Sequence, residues 1–293
     1  DKLSAVEKKE LEDKLATQIE DSAKPVVKSF LFLLRFITRP PAFDSMAVKQ
    51  SVANMNNLLR NNGYFRGYVT AEWDQVIPKG KPDQKRMYVQ YDVNPGRVFR
   101  IDSVSYQFSD SLLQELADKS RNRSVLKKSE PFTKQKIDDE LNRLIDLFRN
   151  NGYYRINREV LKAQLDTVNL ALIEATPDPL EIIRLQLEAE QKQQNPTIDI
   201  SILEVPVKDS SVTLPYKVRN VYIFPDEPAE ITTGTGAFRG IPRLDYGGYR
   251  IYSRYDLFKP SFLVKKIELK PGELLRASDY SKTLVNFSRI EAW

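Results

Sequence analysis

Between Lys134 and Phe148 the apolar residues Ile137, Leu141, Leu144, Ile145 and Phe148 recur every three or four positions among charged neighbours. That spacing lays one apolar stripe along a helix. Thr133 is placed to cap its start. Arg149-Asn150-Asn151 closes its last turn before Gly152, a residue type that accepts the left-handed C′ conformation at little cost. A second helix of the same build starts behind Asp44, carries Met46, Val48, Val52, Met55, Leu58 and Leu59, and stops at Gly63. Elsewhere the period falls to two. Tyr68–Trp73 has strand propensity, and Met87, Val89, Tyr91 and Val93 alternate with polar residues across a Gly/Lys/Pro-rich turn at 78–86. Thr197–Ile202 alternates in the same way.

The two helices are copies. Residues 58–66 read Leu-Leu-Arg-Asn-Asn-Gly-Tyr-Phe-Arg and residues 147–155 read Leu-Phe-Arg-Asn-Asn-Gly-Tyr-Tyr-Arg, a step of 152 − 63 = 89 residues. A second repeated element reads Phe-Arg-Ile-Asp-Ser-Val-Ser-Tyr at 99–106 and Tyr-Lys-Val-Arg-Asn-Val-Tyr-Ile at 216–223, a step of 216 − 99 = 117 residues. The 117 − 89 = 28 residues of excess fit an insertion near 175–195, where Leu180, Ile182, Ile183, Leu185 and Leu187 suggest a short helix outside the minimal unit. The unit expected is strand, helix, helix and a hairpin of two strands. In the second copy its first helix spans Ser111–Lys119, with Ser109 or Asp110 as cap. Three units follow: 1–96, without its opening strand; 97–210; and 211–293, whose helix at Asp279–Ile290 is reached before a closing hairpin. A helix capped by Ser4, with Glu7 three residues on, opens the first.

Strand-helix-helix-strand-strand units in tandem, with Gly63-Tyr64 and Gly152-Tyr153 after the second helix and Pro95-Gly96 at a unit's end, resemble POTRA domains. These are the periplasmic modules of the BamA/TamA outer-membrane assembly superfamily. The passage Val93-Asn94-Pro95-Gly96-Arg97-Val98-Phe99-Arg100-Ile101 from one unit to the next carries the likeness, as do Lys259-Pro260 and Ile267–Gly272 in the third. Pro40-Pro41-Ala42-Phe43-Asp44 is similar to the TamA-like branch with its lipidated TamL form. The 28-residue insertion and the irregular stretch Glu227–Tyr246 depart from the pattern. The resemblance implies an α+β fold of tandem POTRA domains, each a small mixed sheet covered by two helices, with the first and last copies truncated. It places an outer-membrane β-barrel after Trp293.

Composition narrows the chemistry. The chain has 293 residues, 41% hydrophobic and 29% charged, no Cys and no His, which suits a soluble chain of small domains and excludes disulfides, Ser-His triads and His- or Cys-ligated metals. No catalytic residue, metal site or cofactor is expected. Asp138, Asp139 and Glu140 read as a solvated helix face beside Lys134 and Lys136, and Gly234-Thr235-Gly236 lacks the strand and helix of a phosphate loop. The formal charge of +5 is spread through helices, which argues against nucleic acid and leaves room for contact with anionic lipid head groups. Pro25–Ile37 is too short to span a bilayer. It reads either as an amphipathic membrane-touching segment or as the core of the first unit, and its apolar density favours core. Gly63, Gly152, Pro95 and Gly96 read as structural, with Tyr64, Tyr153, Phe65 and Tyr154 packing helix ends on the sheet.

The resemblance implies a non-enzymatic module on the periplasmic side of the outer membrane. Its partners would be unfolded outer-membrane proteins, or periplasmic or inner-membrane partner proteins. An open sheet edge can accept an extended strand by backbone pairing alone. The resemblance puts that edge on the first hairpin strand: Gly67–Asp74 with Tyr68, Thr70 and Glu72, and Tyr154–Lys162 with Tyr154 and Ile156. Trp73 is expected in the core. The rival readings are a dedicated secretion transporter for one passenger and a spacer that docks an inner-membrane-anchored partner.

Overall fold

The computed structural model describes residues 5–19, 27–30, 34–37, 43–77, 86–166, 195–226 and 240–290, with backbone only for 27–30 and 34–37. By contacts the chain forms two compact units: Asp1–Val104 with Leu126–Ile137 and Leu165–Ile200, and Ser105–Val125 with Asp138–Gln164 and Ser201–Trp293. Residues of the second repeat are shared between them.

The first unit opens with α1 (Ala5–Ala16) and an antiparallel pair of short strands, β1 (Val27–Phe30) and β2 (Leu34–Ile37). The Ser4 cap and the side chains of 25–37 lie outside the described residues. Helix α2 (Ser45–Asn61) begins at Asp44, whose carboxylate accepts the Met46 N–H at 2.8 Å. Its apolar stripe places Met55 and Leu59 in a core with Leu11, Leu15, Tyr64 and Val69. Strands β3 (Tyr68–Val76) and β4 (Arg86–Asn94) pair antiparallel over nine residues, in register Tyr68↔Asn94 to Val76↔Arg86. The inner face of this hairpin is covered only near its base. Val69 is buried, whereas Trp73 is 38% exposed and touches the Phe43 ring at 5.9 Å between centroids. Trp73 is therefore not core as expected: along β3 only Val69 is buried, and every residue from Glu72 to Val76 is exposed, so the packed part of the strand stops at its base.

The second repeat supplies β5 (Arg100–Gln107), α3 (Ser111–Lys119), α4 (Lys134–Arg149), β6 (Leu161–Asp166) and β7 (Thr197–Glu204). The order along the sheet is β5-β7-β6. Arg100 N–H donates to Pro196 C=O, Ser103 bonds Asp199 and Ser105 bonds Ser201, a constant offset of 96 residues that makes β5 and β7 parallel. This is the strand-helix-helix-hairpin unit that the pattern predicts, an α+β fold. The insertion at 175–195 lies outside the described residues.

One element of this repeat differs from its reading. Glu140 is not on a solvated face: it is fully buried. Its oxygens accept the Tyr106 hydroxyl at 2.6 Å, the Val125 N–H at 3.0 Å and both arms of Arg143, which also reaches Ser120. Burial pushes the carboxyl up, but these hydrogen bonds outweigh it and hold Glu140 below the usual glutamate range. Asp138 pairs with Arg158 at the surface. Charge on an amphipathic helix is read as solvent-facing by default, and position 140 follows Ile137 by three residues, on the inward stripe.

The third repeat contains β8 (Tyr222–Ile223), β9 (Arg243–Tyr246), β10 (Tyr249–Tyr252), α5 (Pro260–Val264) and α6 (Ala277–Ser288). Its sheet order is β8-β10-β9, with β10 parallel to β8 and antiparallel to β9. Ile223, Tyr249, Ile251, Leu263 and Ile267 form its core. β9 lies at the end of the stretch Glu227–Tyr246 expected to be irregular, and the two-residue turn Gly247-Gly248 that follows it, both glycines at the positive φ such a turn needs, joins it to β10 in a hairpin the pattern did not predict. No described helix is long and apolar enough to cross a membrane.

Glu140→Gln should lower stability by about 3 kcal/mol at neutral pH, because it removes the partner of the largely buried Arg143. The folded-state pKa lies below the unfolded one of about 4.3, so the contribution is complete above that value and fades as pH falls through the lower folded value. Urea titrations of parent and variant should converge in acid. A gap that stays constant from neutral pH into acid would contradict this account.

Candidate binding edges and the repeat junction

The Arg-Asn-Asn-Gly motif builds the same joint twice. Gly63 has φ +85° and Gly152 has φ +98°, the left-handed conformation expected at C′. The carbonyl of each then accepts the first N–H of the next opening strand: Phe99 to Gly63 at 2.9 Å, and Tyr216 to Gly152 at 2.8 Å. The opening aromatic returns the contact to the segment before the next long helix, with Phe132 N–H donating to Phe99 C=O and Leu275 N–H to Tyr216 C=O. A Cβ on Gly63 would lie 2.7 Å from the Phe132 carbonyl oxygen, and one on Gly152 would lie 2.9 Å from Leu274. The glycine thus meets two demands at once, a left-handed backbone and close approach of the following repeat.

The residues after each glycine divide their tasks. Tyr64 and Tyr153 are buried, as expected. The Tyr153 hydroxyl reaches Asp110 at 3.4 Å; burial first, then the Asp110 carboxylate, pushes its pKa up to about 12. Asp110 also caps α3, so this pair ties the end of α4 to the start of α3. Phe65 and Tyr154 do something else. Phe65 lies edge-on to Phe99 at 5.1 Å and against Phe132 at 5.2 Å, and Tyr154 meets Tyr280 of α6 at 6.3 Å. Arg66 sits over the Phe99 ring, while Arg155 bonds Asp209, Ser211 and the Tyr216 hydroxyl, which it holds below the ordinary tyrosine range. These residues seal the joint to the next repeat. At Pro95-Gly96 the Gly96 N–H donates to the Asn94 side chain at 3.2 Å, and Gly67 packs closely on Pro95.

The edge residues need more adjustment. Tyr68, Thr70 and Glu72 do lie on β3 and are exposed, paired with Asn94, Asp92 and Gln90. Their backbone groups, however, face β4. The Val69 N–H points the other way, to the Asn56 side chain on α2 at 3.0 Å. Successive residues of a strand aim their N–H and C=O groups at opposite edges, so the groups on the open edge belong to Ala71, Trp73 and Gln75. Among the described elements β3 pairs with β4 alone. Asn56 closes the near end of that edge by taking one donor. The signal for this was present in principle, since the parity of a strand follows from one anchored N–H, but the anchor is a contact between residues 13 apart.

Tyr154 and Ile156 are not on an edge strand. The expected strand Tyr154–Lys162 starts only at Leu161; Asn157 caps a 3-10 turn at Arg158–Val160 by accepting the Glu159 N–H at 2.9 Å. Ile156 is fully buried, and its carbonyl accepts from Arg149. The corresponding edge strand is β6, at the end of the order β5-β7-β6. Among the described residues no group of three or more acidic side chains is placed to hold a metal ion. Glu140, the one fully buried carboxylate among the described residues, has its oxygens engaged by four donors from three residues, an arrangement that fixes structure.

No protein-family model and no curated protein matches the chain. Three solved structures are among those it is similar to. The crystal structure of Haemophilus influenzae BamA POTRA3-5 is 12% identical, with a TM-score of 0.39 over 99% of this chain and 82% of that one. POTRA1-3 of the periplasmic domain of Omp85 from Anabaena is 12% identical, with a TM-score of 0.29 over 98% and 79%. The N-terminal domain of Omp85 from Thermosynechococcus elongatus, a thermophilic cyanobacterium, is 10% identical, with a TM-score of 0.27 over 96% and 80%. With TM-scores this low, the architecture rests on the strand order and hydrogen bonds above.

The junction predicts a ranking of glycine substitutions. Gly272 also has a positive φ of +90°, but a Cβ there meets nothing within 4 Å. Gly272→Ala should cost about 1 kcal/mol from left-handed strain alone. Gly63→Ala should cost at least about twice that, because a backbone oxygen must also move. Equal costs in denaturant unfolding would show that the close approach to Phe132 carries no energy.

Proposed function

We propose that this chain is a non-enzymatic periplasmic module of an outer-membrane protein assembly or translocation factor of the BamA/TamA type, in its TamA-like/TamL branch. Its units would be 1–96, 97–210 and 211–293, the first without its opening strand and the third without its closing hairpin. The module binds unfolded outer-membrane proteins, or partner proteins of the periplasm or inner membrane, by adding their extended segments to a sheet edge. One observation carries this reading. β3 offers the alternate backbone groups of Ala71, Trp73 and Gln75 on an edge that no described strand covers.

The physical case is that backbone pairing is nearly blind to side chains, which suits a receptor for many clients. Exposed apolar side chains beside the edge add affinity without adding sequence preference: Trp73 on one face of β3 and Val76 on the other. A hairpin of two nine-residue strands, anchored in a core that α1 and α2 share, holds its shape while leaving the edge beyond Asn56 available. Bound segments would antiparallel-pair or parallel-pair along 71–75, starting beyond the donor that Asn56 occupies.

Proline tests this by position. It lacks the N–H and is tolerated on an edge whose N–H faces outward. Ala71→Pro and Gln75→Pro should keep the parent circular dichroism and weaken binding of an unfolded outer-membrane-protein peptide by about tenfold or more. Thr70→Pro breaks a bond to β4 and should lower stability instead. If both outward variants fold and bind like the parent, backbone capture at β3 is wrong; one surface alanine that abolishes binding would then favour a specific passenger or docking partner.

A further inference from the structure

The dipeptide Asn-Gly occurs twice in the chain, at Asn62-Gly63 and Asn151-Gly152, and both copies form the joint between one repeat and the next. Asparagine is a thermolabile residue, and it modifies itself most readily before glycine, whose backbone nitrogen no side chain hinders. That nitrogen attacks the asparagine Cγ. A C–N bond forms, the side-chain nitrogen leaves as ammonia with the proton of the glycine N–H, and a cyclic imide remains. Water then opens the imide at either carbonyl, to give aspartate or isoaspartate. Both asparagines are half-buried, so water for the second step is within reach.

The folded joint holds the reacting groups apart. Asn62 Nδ2 donates to Leu58 C=O at 2.8 Å and Asn151 Nδ2 to Leu147 C=O at 2.7 Å, a bond four residues back in both copies. Gly63 N–H donates to Arg60 C=O at 3.1 Å. Closing the imide needs the Cα–C bond of Asn62 turned until the glycine nitrogen eclipses Cβ. At ψ 17° that nitrogen nearly eclipses the backbone nitrogen of Asn62 instead. Turning the bond breaks the contact to Arg60 and swings Gly63, whose carbonyl is held by Phe99 N–H and whose Cα faces the Phe132 carbonyl. Gly152 is held in the same way by Tyr216 N–H and packs on Leu274. The bonds that position the next repeat are therefore the bonds that must break before either asparagine can react.

We propose that Asn62 and Asn151 are sites of spontaneous deamidation, each gated by the joint it helps to build, so that each reacts only while its own joint is open. The product impairs that joint. An aspartate carboxylate only accepts hydrogen bonds, so it offers no donor to the Leu58 or Leu147 carbonyl, and its charge stands at the negative end of the helix dipole. Isoaspartate adds a methylene to the main chain directly before the left-handed glycine, which displaces the carbonyl that receives Phe99 or Tyr216. A closed joint protects its asparagine, and an opening that runs to reaction leaves a joint that closes less well. The modification thus accumulates with openings and is not reversed by refolding. Both sites act independently of any capture at β3.

The test incubates the full chain at mildly alkaline pH, native or in guanidinium chloride, and follows each asparagine by peptide mass mapping. In denaturant, Asn62 and Asn151 should convert ahead of Asn61, Asn150 and the other asparagines. In the native chain both should convert at least about tenfold more slowly, since opening a packed helix end costs free energy. Phe65 and Tyr154 pack on the first and second joint, so Phe65→Ala should speed Asn62 alone and Tyr154→Ala should speed Asn151 alone. Asn62→Asp should speed exchange of the Phe99 amide, and Asn151→Asp that of the Tyr216 amide, each leaving the other joint like the parent. Equal rates in the native and denatured chain would overturn the gating, and so would acceleration of both asparagines by either aromatic variant. Unchanged Phe99 and Tyr216 amides in the aspartate variants would overturn the damage to the joint.

Discussion

The hydrogen bond from an opening strand to the carbonyl of a left-handed glycine is the interaction on which the rest depends. It is made twice, Phe99 to Gly63 and Tyr216 to Gly152. A helix end normally leaves carbonyls for solvent, and here the reversed chain direction after the glycine aims one at the next repeat. Because that bond fixes where the next opening strand begins, it also fixes where the segment before the next long helix must pass. Any side chain at the glycine would occupy the space of Phe132 or Leu274. Phe65 with Arg66, and Tyr154 with Arg155, then pack around the joint.

The buried carboxylate of the second repeat ties its elements together. Glu140 links Tyr106 on β5, Val125 in the loop after α3, and Arg143 on its own helix. An unpaired carboxylate in that position would be costly, whereas this one is saturated, which is why burial does not raise it. With Glu140 saturated in this way, open backbone bonding capacity remains on the edge of β3 that no described strand covers.

Much of the architecture was legible because helices and repeats leave strong periodic traces. The Ile137–Phe148 and Met46–Leu59 stripes, the caps at Asp44 and Asp110, and the glycine joints all follow from local rules. What was not legible depends on contacts distant in sequence. Glu140 looked solvent-facing because its partners Tyr106 and Val125 lie 34 and 15 residues away. Trp73 shares its face with the buried Val69, but strand alternation does not say how far along that face the core extends. The start of β6 slipped from 154 to 161 because Asn157 makes a local turn that competes with the strand. The parity of β3 hinged on Asn56, so the side chains first named on the edge proved to belong to residues whose backbone faces β4.

The central claim is that partners are held through the backbone of β3, and residue-resolved amide exchange tests it most directly. With an unfolded outer-membrane-protein peptide bound, the amides of Ala71, Trp73 and Gln75 should exchange more slowly, while those of Thr70 and Glu72, already bonded to β4, should be unchanged. Slowing with the opposite alternation, or peptide binding with no change at 71, 73 and 75, would contradict it.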